Sequence, residues 1–276
     1  CDCSFEREAI EELLRPFADP QVAAVGGNVL VRNGEASVTA SIQAIEYMIS
    51  IGLGKTALDL IGQVSIISGA FGAFRASAFR HVGGMDPGPG EDFDLTMRLR
   101  LAGYKIGFAL TSVCYTDVPT TLFNLLRQRA RWERDSLWIR YRKYGRILNP
   151  FRADFQPREL PHQIDFLFFD VIAGSVAPFY ILFLAFVIGF PLATYILVCV
   201  YIGFLFLDSF TFACAVIGSG KKYYWRFWPF LMIYGPFKGY LMRTARLYVF
   251  IQEWIYSASR NDNFAPPKVN AWIRWK

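Results

Sequence analysis

Two long apolar stretches in the second half of the chain limit its architecture more than any other feature. Phe166 to Phe190 is apolar apart from Asp170 near its start, and Phe190 to Ile217 is interrupted only by Asp208. About 20 apolar residues suffice to cross a bilayer as a helix. The joint between the stretches, Gly189-Phe190-Pro191, carries no charge and reads as a tight turn. The expectation is a helical hairpin that enters and leaves a membrane. Lys221, Lys222 and Arg226 follow it, so the positive-inside rule puts that loop, and the domain ahead of the hairpin, on the cytoplasmic side. An ordinary soluble domain fails on this pair, and 54% hydrophobic with 17% aromatic residues is rich for a soluble protein.

A third apolar segment, Trp225 to Trp254, contains Lys238, Arg243, Arg246 and Glu253. At helical spacing the four fall within about 140° of one another. Such a stripe has two readings. It faces a wet conduit or the buried end of a catalytic domain, or the segment lies along the interface with its charges snorkelling. The sequence favours an interfacial piece followed by a short membrane helix, with Gly235-Pro236 able to split the two.

Ahead of the hairpin the periodicity changes. Glu8 to Phe17 places Ile10, Leu13, Leu14 and Phe17 on one helical face, and the apolar run Val22 to Val25 follows the turn Asp19-Pro20. A second helix carries Ile42, Ile45, Met48 and Ile49 on one side with Gln43 elsewhere. Val64 to Ile67, Tyr104 to Leu110 and Val113 to Val118 read as strands or extended pieces. Mixed helices and strands through residue 118 indicate an α/β layered domain. The expected organisation is an α/β domain over 1–118 and an amphipathic interfacial helix with a linker over 119–161. Transmembrane and interfacial helices then take 162–258, and a tail takes 259–276.

The net charge of +6 is local. Between Arg127 and Arg158 stand ten Lys or Arg against three Asp or Glu, interleaved with Leu and Trp, the composition of a helix at a membrane surface. That block suits anionic lipid or a phosphate-bearing ligand, and no recognition motif accompanies it, so nucleic acid is not an expected partner. Five cysteines without paired spacing argue against a disulfide framework, and the two histidines, His81 and His162, read as structural.

Two stretches carry candidate chemistry. Gly90-Glu91-Asp92-Phe93-Asp94-Leu95 gathers three carboxylates at a helix start, after the turn formers Gly83-Gly84 and Asp86-Pro87-Gly88-Pro89 and ahead of a left-handed cap at Gly103. Helix-start carboxylates also serve as caps, and that reading stands beside the catalytic one. Ser68-Gly69-Ala70-Phe71-Gly72-Ala73-Phe74-Arg75 is dense in small residues, which marks close approach by another backbone or by a ligand.

Glu91-Asp92-Phe93-Asp94-Leu95 and Gln128-Arg129-Ala130-Arg131-Trp132, with Val118-Pro119-Thr120-Thr121 between them and the apolar hairpin after them, resemble the paired signatures of membrane-bound family-2 glycosyltransferases. These are the synthases of cellulose, chitin, hyaluronan and poly-N-acetylglucosamine. The resemblance implies the C-terminal part of a GT-A type nucleotide-diphospho-sugar transferase domain followed by α-helical transmembrane segments. It further implies a chain truncated at its N-terminus, with Asp2 as the second Asp of an Asp-x-Asp metal motif holding Mg²⁺ or Mn²⁺.

By the same resemblance Asp92 is the base for the acceptor hydroxyl, Glu91 orients it, and Asp94 is a helix-start carboxylate. Gln128, Arg129, Arg131 and Trp132 meet the donor diphosphate and the acceptor sugar, and Ser68, Gly69, Ala70 and Phe71 form the loop beneath the acceptor. The implied activity is inverting transfer from a nucleotide-sugar, a UDP-sugar, onto a growing polysaccharide at the cytoplasmic face of the plasma membrane, processive and coupled to export. The implied partners are the donor, the acceptor chain, the bilayer and an accessory export subunit. Two other readings stay open: transfer of one sugar to a lipid carrier or glycolipid, and a membrane scaffold that has lost catalysis. The intact Asp2, Asp92, Gln128, Arg131 and Trp132 argue against the scaffold.

Overall fold

A computed structural model describes residues 3–86, 88, 90–152 and 155–256. The chain divides into two compact units, one comprising Cys1–Leu125 with Phe212–Phe227 and the other Leu126–Thr211 with Trp228–Ala258. The expectations for Asp2 and for the tail 259–276 fall outside the described residues.

The first unit is built on a four-stranded sheet in the order β1-β4-β2-β3. Strand β1 is Cys3–Phe5, and helix α1, Ala9–Leu14, follows it. Ala9 and Leu13 of α1 are buried, whereas Ile10 and Leu14 stand 54% and 53% exposed, so the apolar face is narrower than its periodicity implied. Strand β2, Val22–Val31, is buried at every position. For Val22 to Val25 that fits an apolar run with no alternation, because a strand in parallel pairing is covered on both faces; Asn28 is buried as well.

Ser37 caps helix α2, Val38–Tyr47, by accepting from the Ala40 amide at 3.1 Å. Gln43, off the apolar face, is nonetheless buried and donates to the carbonyls of Pro119 at 2.8 Å and Thr39 at 3.1 Å. A π-helical turn, Met48–Gly54, carries the chain into α3, Lys55–Leu60.

Val64 to Ile67 does not join the sheet. Val64 and Ile67 are core residues, but the side chains of a later helix satisfy their backbone: Arg100 donates to the Val64 and Ser65 carbonyls at 3.2 and 2.6 Å, and Thr96 Oγ1 accepts from the Ile67 amide at 3.2 Å. Strand β3, Gly72–Phe74, pairs antiparallel with β2, and the short helix α4 is Ala76–His81. Helix α5, Glu91–Leu101, starts from Gly90 at φ +67° and ends at Gly103 at φ +84°. There the Tyr104 amide reaches back to the Leu99 carbonyl at 3.1 Å, the left-handed stop read from the sequence.

Strand β4, Lys105–Thr116, joins the two extended pieces into one, parallel to β2 and antiparallel to β1. Its register slips between Gly27–Ala109 and Asn28–Val113. The extra residues are tied down by Asn28 Nδ2 on the Leu110 carbonyl at 3.2 Å and Ser112 Oγ on the Ala9 carbonyl at 2.6 Å.

Helix α6, Leu122–Leu137, leads into the second unit and widens into a π-helical turn over Trp138–Lys143. Then come α7, Leu160–Asp165, α8, Ala173–Ile188, and α9, Phe190–Ser219, with Gly189 at φ +82° making the tight turn between the last two. Among the described residues α9 is the one helix long and apolar enough to cross a bilayer, or one of two if the apolar run ahead of it, bent by 50° between Val176 and Phe179, counts as a broken span. Helices α10, Leu231–Pro236, and α11, Arg243–Tyr256, complete the unit. The charged stripe of this last segment meets protein: Arg246 Nε pairs with Glu133 Oε1 at 2.7 Å, and the buried Glu253 with Arg142 at 2.9 Å.

Candidate active site

Asp92 sits in the first turn of α5, where one carboxylate oxygen accepts from the Phe93 amide at 2.7 Å. That is the helix-start role. The other oxygen leaves the helix and accepts from the Gly69 amide, twenty-three residues back, at 2.9 Å. Thr96, one turn on, donates its hydroxyl to the Asp92 carbonyl at 2.7 Å while accepting from Ile67, so a single side chain ties the helix start to the approach of the Ser68–Phe71 loop. Capping and a second duty coexist in one carboxylate.

The loop is held at both ends. Phe71 donates its amide to the Ser68 carbonyl at 3.0 Å, and the Gly27 amide donates to the Phe71 carbonyl at 3.2 Å. The buried Phe71 ring lies 5.0 Å from that of Phe5 and so close over β2 that a Cβ on Gly27 would fall 2.2 Å from it. Arg75 then closes the segment on the carbonyls of Phe17, Asp19 and Val22. Gly69 and Ala70 remain exposed, and a Cβ on Gly69 would stand 3.2 Å from Asp92 Oδ2. The small residues therefore serve both explanations given for them: some admit a neighbouring side chain, and two leave open surface beside a carboxylate.

The other two carboxylates separate clearly. Asp94 is buried and paired with Arg98 Nε at 3.0 Å, and Arg98 donates on to the Val82 carbonyl at 2.6 Å, a structural link between α5 and α4. Glu91 is exposed, and among the described residues nothing hydrogen-bonds it; the groups that orient Asp92 are the amides of Gly69 and Phe93.

One residue of the site escaped the sequence reading. Lys55, first in α3, is only 8% exposed and donates to Ser68 Oγ at 2.9 Å. Burial pushes its ammonium down to about 8, while the Asp92 carboxylate pulls it up. The available signal was a single charge inside the apolar, glycine-rich run Ile51-Gly52-Leu53-Gly54-Lys55.

Gln128, Arg129, Arg131 and Trp132 lie together on α6, in the second unit. The Arg129 guanidinium stacks over the Trp132 ring at 4.6 Å, and Trp132 is 38% exposed. Gln128 Oε1 is buried, with no hydrogen-bond donor to it among the described residues, a polar group that ordinarily finds a partner. Among the described residues no group of three or more His, Cys, Asp or Glu gathers where it could hold a metal ion; Asp2 lies outside them.

The chain is similar to known proteins. Over 115 residues the chain is 41% identical to the poly-beta-1,6-N-acetyl-D-glucosamine synthase of Staphylococcus aureus (strain COL), and 37% identical to that of Staphylococcus epidermidis. Each match takes in 41% of this chain and 28% of the relative. The mannosyltransferase PcManGT from Pyrobaculum calidifontis, solved in complex with GDP-Man and Mn²⁺, superposes with a TM-score of 0.48 at 14% identity, over 91% of this chain and 59% of that one. The profile of glycosyl transferase family group 2 matches residues 1–237. With most of its length inside that match, the chain belongs to glycosyl transferase family group 2 and so to the glycosyltransferase enzymes.

Proposed function

We propose that the chain is the acceptor-side part of a GT-A type domain that moves a sugar, with inversion, from a UDP-sugar onto a growing polysaccharide. The observation that carries this is Asp92 held by the Gly69 amide at the edge of an open small-residue loop. In the reaction the acceptor hydroxyl gives its proton to the Asp92 carboxylate. Its oxygen forms the new bond to the anomeric carbon, and the bond from that carbon to phosphate breaks to release the nucleoside diphosphate. Arg131 supplies donors for the leaving diphosphate and Trp132 a flat face for a sugar ring, with Gln128 and Arg129 beside them. A divalent cation, Mg²⁺ or Mn²⁺, would neutralise charge on the diphosphate, with Asp2 among its ligands.

The staphylococcal relatives are named for a polymer of N-acetylglucosamine. That supports N-acetylglucosamine as the transferred sugar, from UDP-N-acetylglucosamine, and a polymer as the product; a processive enzyme that feeds it outward with an accessory export subunit is part of the same reading. The apolar helix α9 supports an integral membrane protein, and the lysines and arginine after it place the catalytic domain on the cytoplasmic side in this reading. Membranes carrying the full-length protein, given labelled UDP-N-acetylglucosamine, should make a product of many sugars. A single-sugar lipid product would replace this reading with transfer to a lipid carrier. Asp92→Asn should lower the rate by about a hundredfold or more, the scale of general base catalysis, with the protein still in the membrane. Full activity in that variant would remove Asp92 from the role of base.

A further inference from the structure

Lys55 is a buried cation beside Asp92 that has no part in the chemistry above. Taking an ammonium out of water is costly unless its charge and its three donors are met. Here the hydrogen bond to Ser68 Oγ at 2.9 Å takes one donor, and the field of the Asp92 carboxylate offsets part of the cost of burying the charge. Packing alone does not call for a charge at this place, because an unbranched apolar side chain would fill the same space. The stem is set at the end of the π-helical turn Met48–Gly54, a local widening of the kind often found at functional positions.

The partner of the ammonium matters. Ser68 precedes Gly69, whose amide donates to Asp92, and the Ser68 carbonyl accepts from Phe71 to close the loop. We propose that Lys55 is a positioning residue for the transfer: by gripping Ser68 it fixes the Gly69 amide, and with it the direction in which Asp92 meets the acceptor hydroxyl. This rests on the reading of Asp92 as the base.

The test is a double-mutant cycle on the full-length enzyme in membranes, with UDP-N-acetylglucosamine as donor and an N-acetylglucosamine oligosaccharide as acceptor. Lys55→Met and Ser68→Ala should each lower kcat by about tenfold to a hundredfold, the range for losing a hydrogen bond to a charged group, with donor KM within about twofold of wild type. Because both cut one link, the double variant should lose no more than the weaker single variant. Losses that multiply in the double variant, or a Ser68→Ala enzyme with unchanged kcat, overturn the proposal. Ser68→Ala removes one hydroxyl from a loop, so its kcat decides the matter even where Lys55→Met fails to fold. Asp92→Asn in parallel separates the two ideas. An active Asp92→Asn enzyme with Lys55 and Ser68 still coupled sinks the base and not the link, and an inert one with Lys55 and Ser68 uncoupled sinks the link and not the base.

Discussion

Asp92 and Asp94 stand two residues apart on α5 in opposite settings, which two variants distinguish. Asp94 is buried against Arg98, so Asp94→Asn should cost about 3 kcal/mol of stability, the low end for breaking a buried pair, while the folded fraction keeps its specific activity. Asp92→Asn should do the reverse, and melting curves beside specific activities read both. The Glu91-Asp92-Phe93-Asp94 pattern announced carboxylates at a helix start; which one turns inward depended on Arg98 and Val82 across the turn. Lys55 was less legible, because its partner lies thirteen residues on and no local period links them. Its titration makes a further prediction. In the folded chain it sits at about 8 against 10.5 for an ordinary lysine, so between those values the unfolded chain binds the extra proton. Wild-type stability should therefore rise as pH climbs from about 8 to about 10.5, and the penalty is fully present below 8. Denaturant melts across that range should show the rise in wild type and not in Lys55→Met, which should also be the more stable of the two at pH 7.

Elements followed their periodicity where one face met one neighbour and departed from it where side chains replaced backbone partners. The buried run Val22 to Val25 and the Gly103 stop came out as read; Val64 to Ile67 did not, since Arg100 and Thr96 took the bonds a strand would have made. The charged stripe of α11 shows the same limit. Wheel geometry grouped Arg246 with Glu253 but could not tell lipid headgroups from the opposite charges Glu133 and Arg142, which come from far earlier in the chain. If the stripe is a helix-packing device, Glu253→Leu alone should lower stability by about 2 kcal/mol, because it strands part of the charge on Arg142. Adding Arg142→Met should recover most of that loss. Additive losses in the double variant, read by thermal melts in detergent, would return the stripe to a role at lipid.

At the scale of the molecule, the route of the chain out of α9 decides on which side of a bilayer the sheet lies. The segment after α9 folds back onto the first unit: Tyr224 donates its hydroxyl to the Val31 carbonyl at 2.7 Å in a buried position, Lys221 pairs with Glu6, and Phe227 packs where a Cβ on Gly34 would fall 2.6 Å from its ring. The sheet is thereby fastened to the C-terminal end of α9. At 1.5 Å per residue, the thirty residues of α9 reach about 45 Å, more than the roughly 30 Å of a hydrocarbon core. If α9 spans a bilayer, its two ends lie on opposite faces, and the positive-inside rule predicts that the end followed by Lys221, Lys222 and Arg226 is the cytoplasmic one. The sequence carried the charge bias and the length; the docking of Tyr224 and Phe227 on the sheet had no periodic signature. In a cysteine-free background, Lys222→Cys should react with a membrane-impermeant maleimide only in inside-out vesicles, and Phe190→Cys, at the other end of the helix, only in intact cells. Labelling of both from the same face would mean that α9 does not span, and labelling in the opposite sense would put the sheet, with Asp92, on the outer face, away from cytoplasmic nucleotide-sugars.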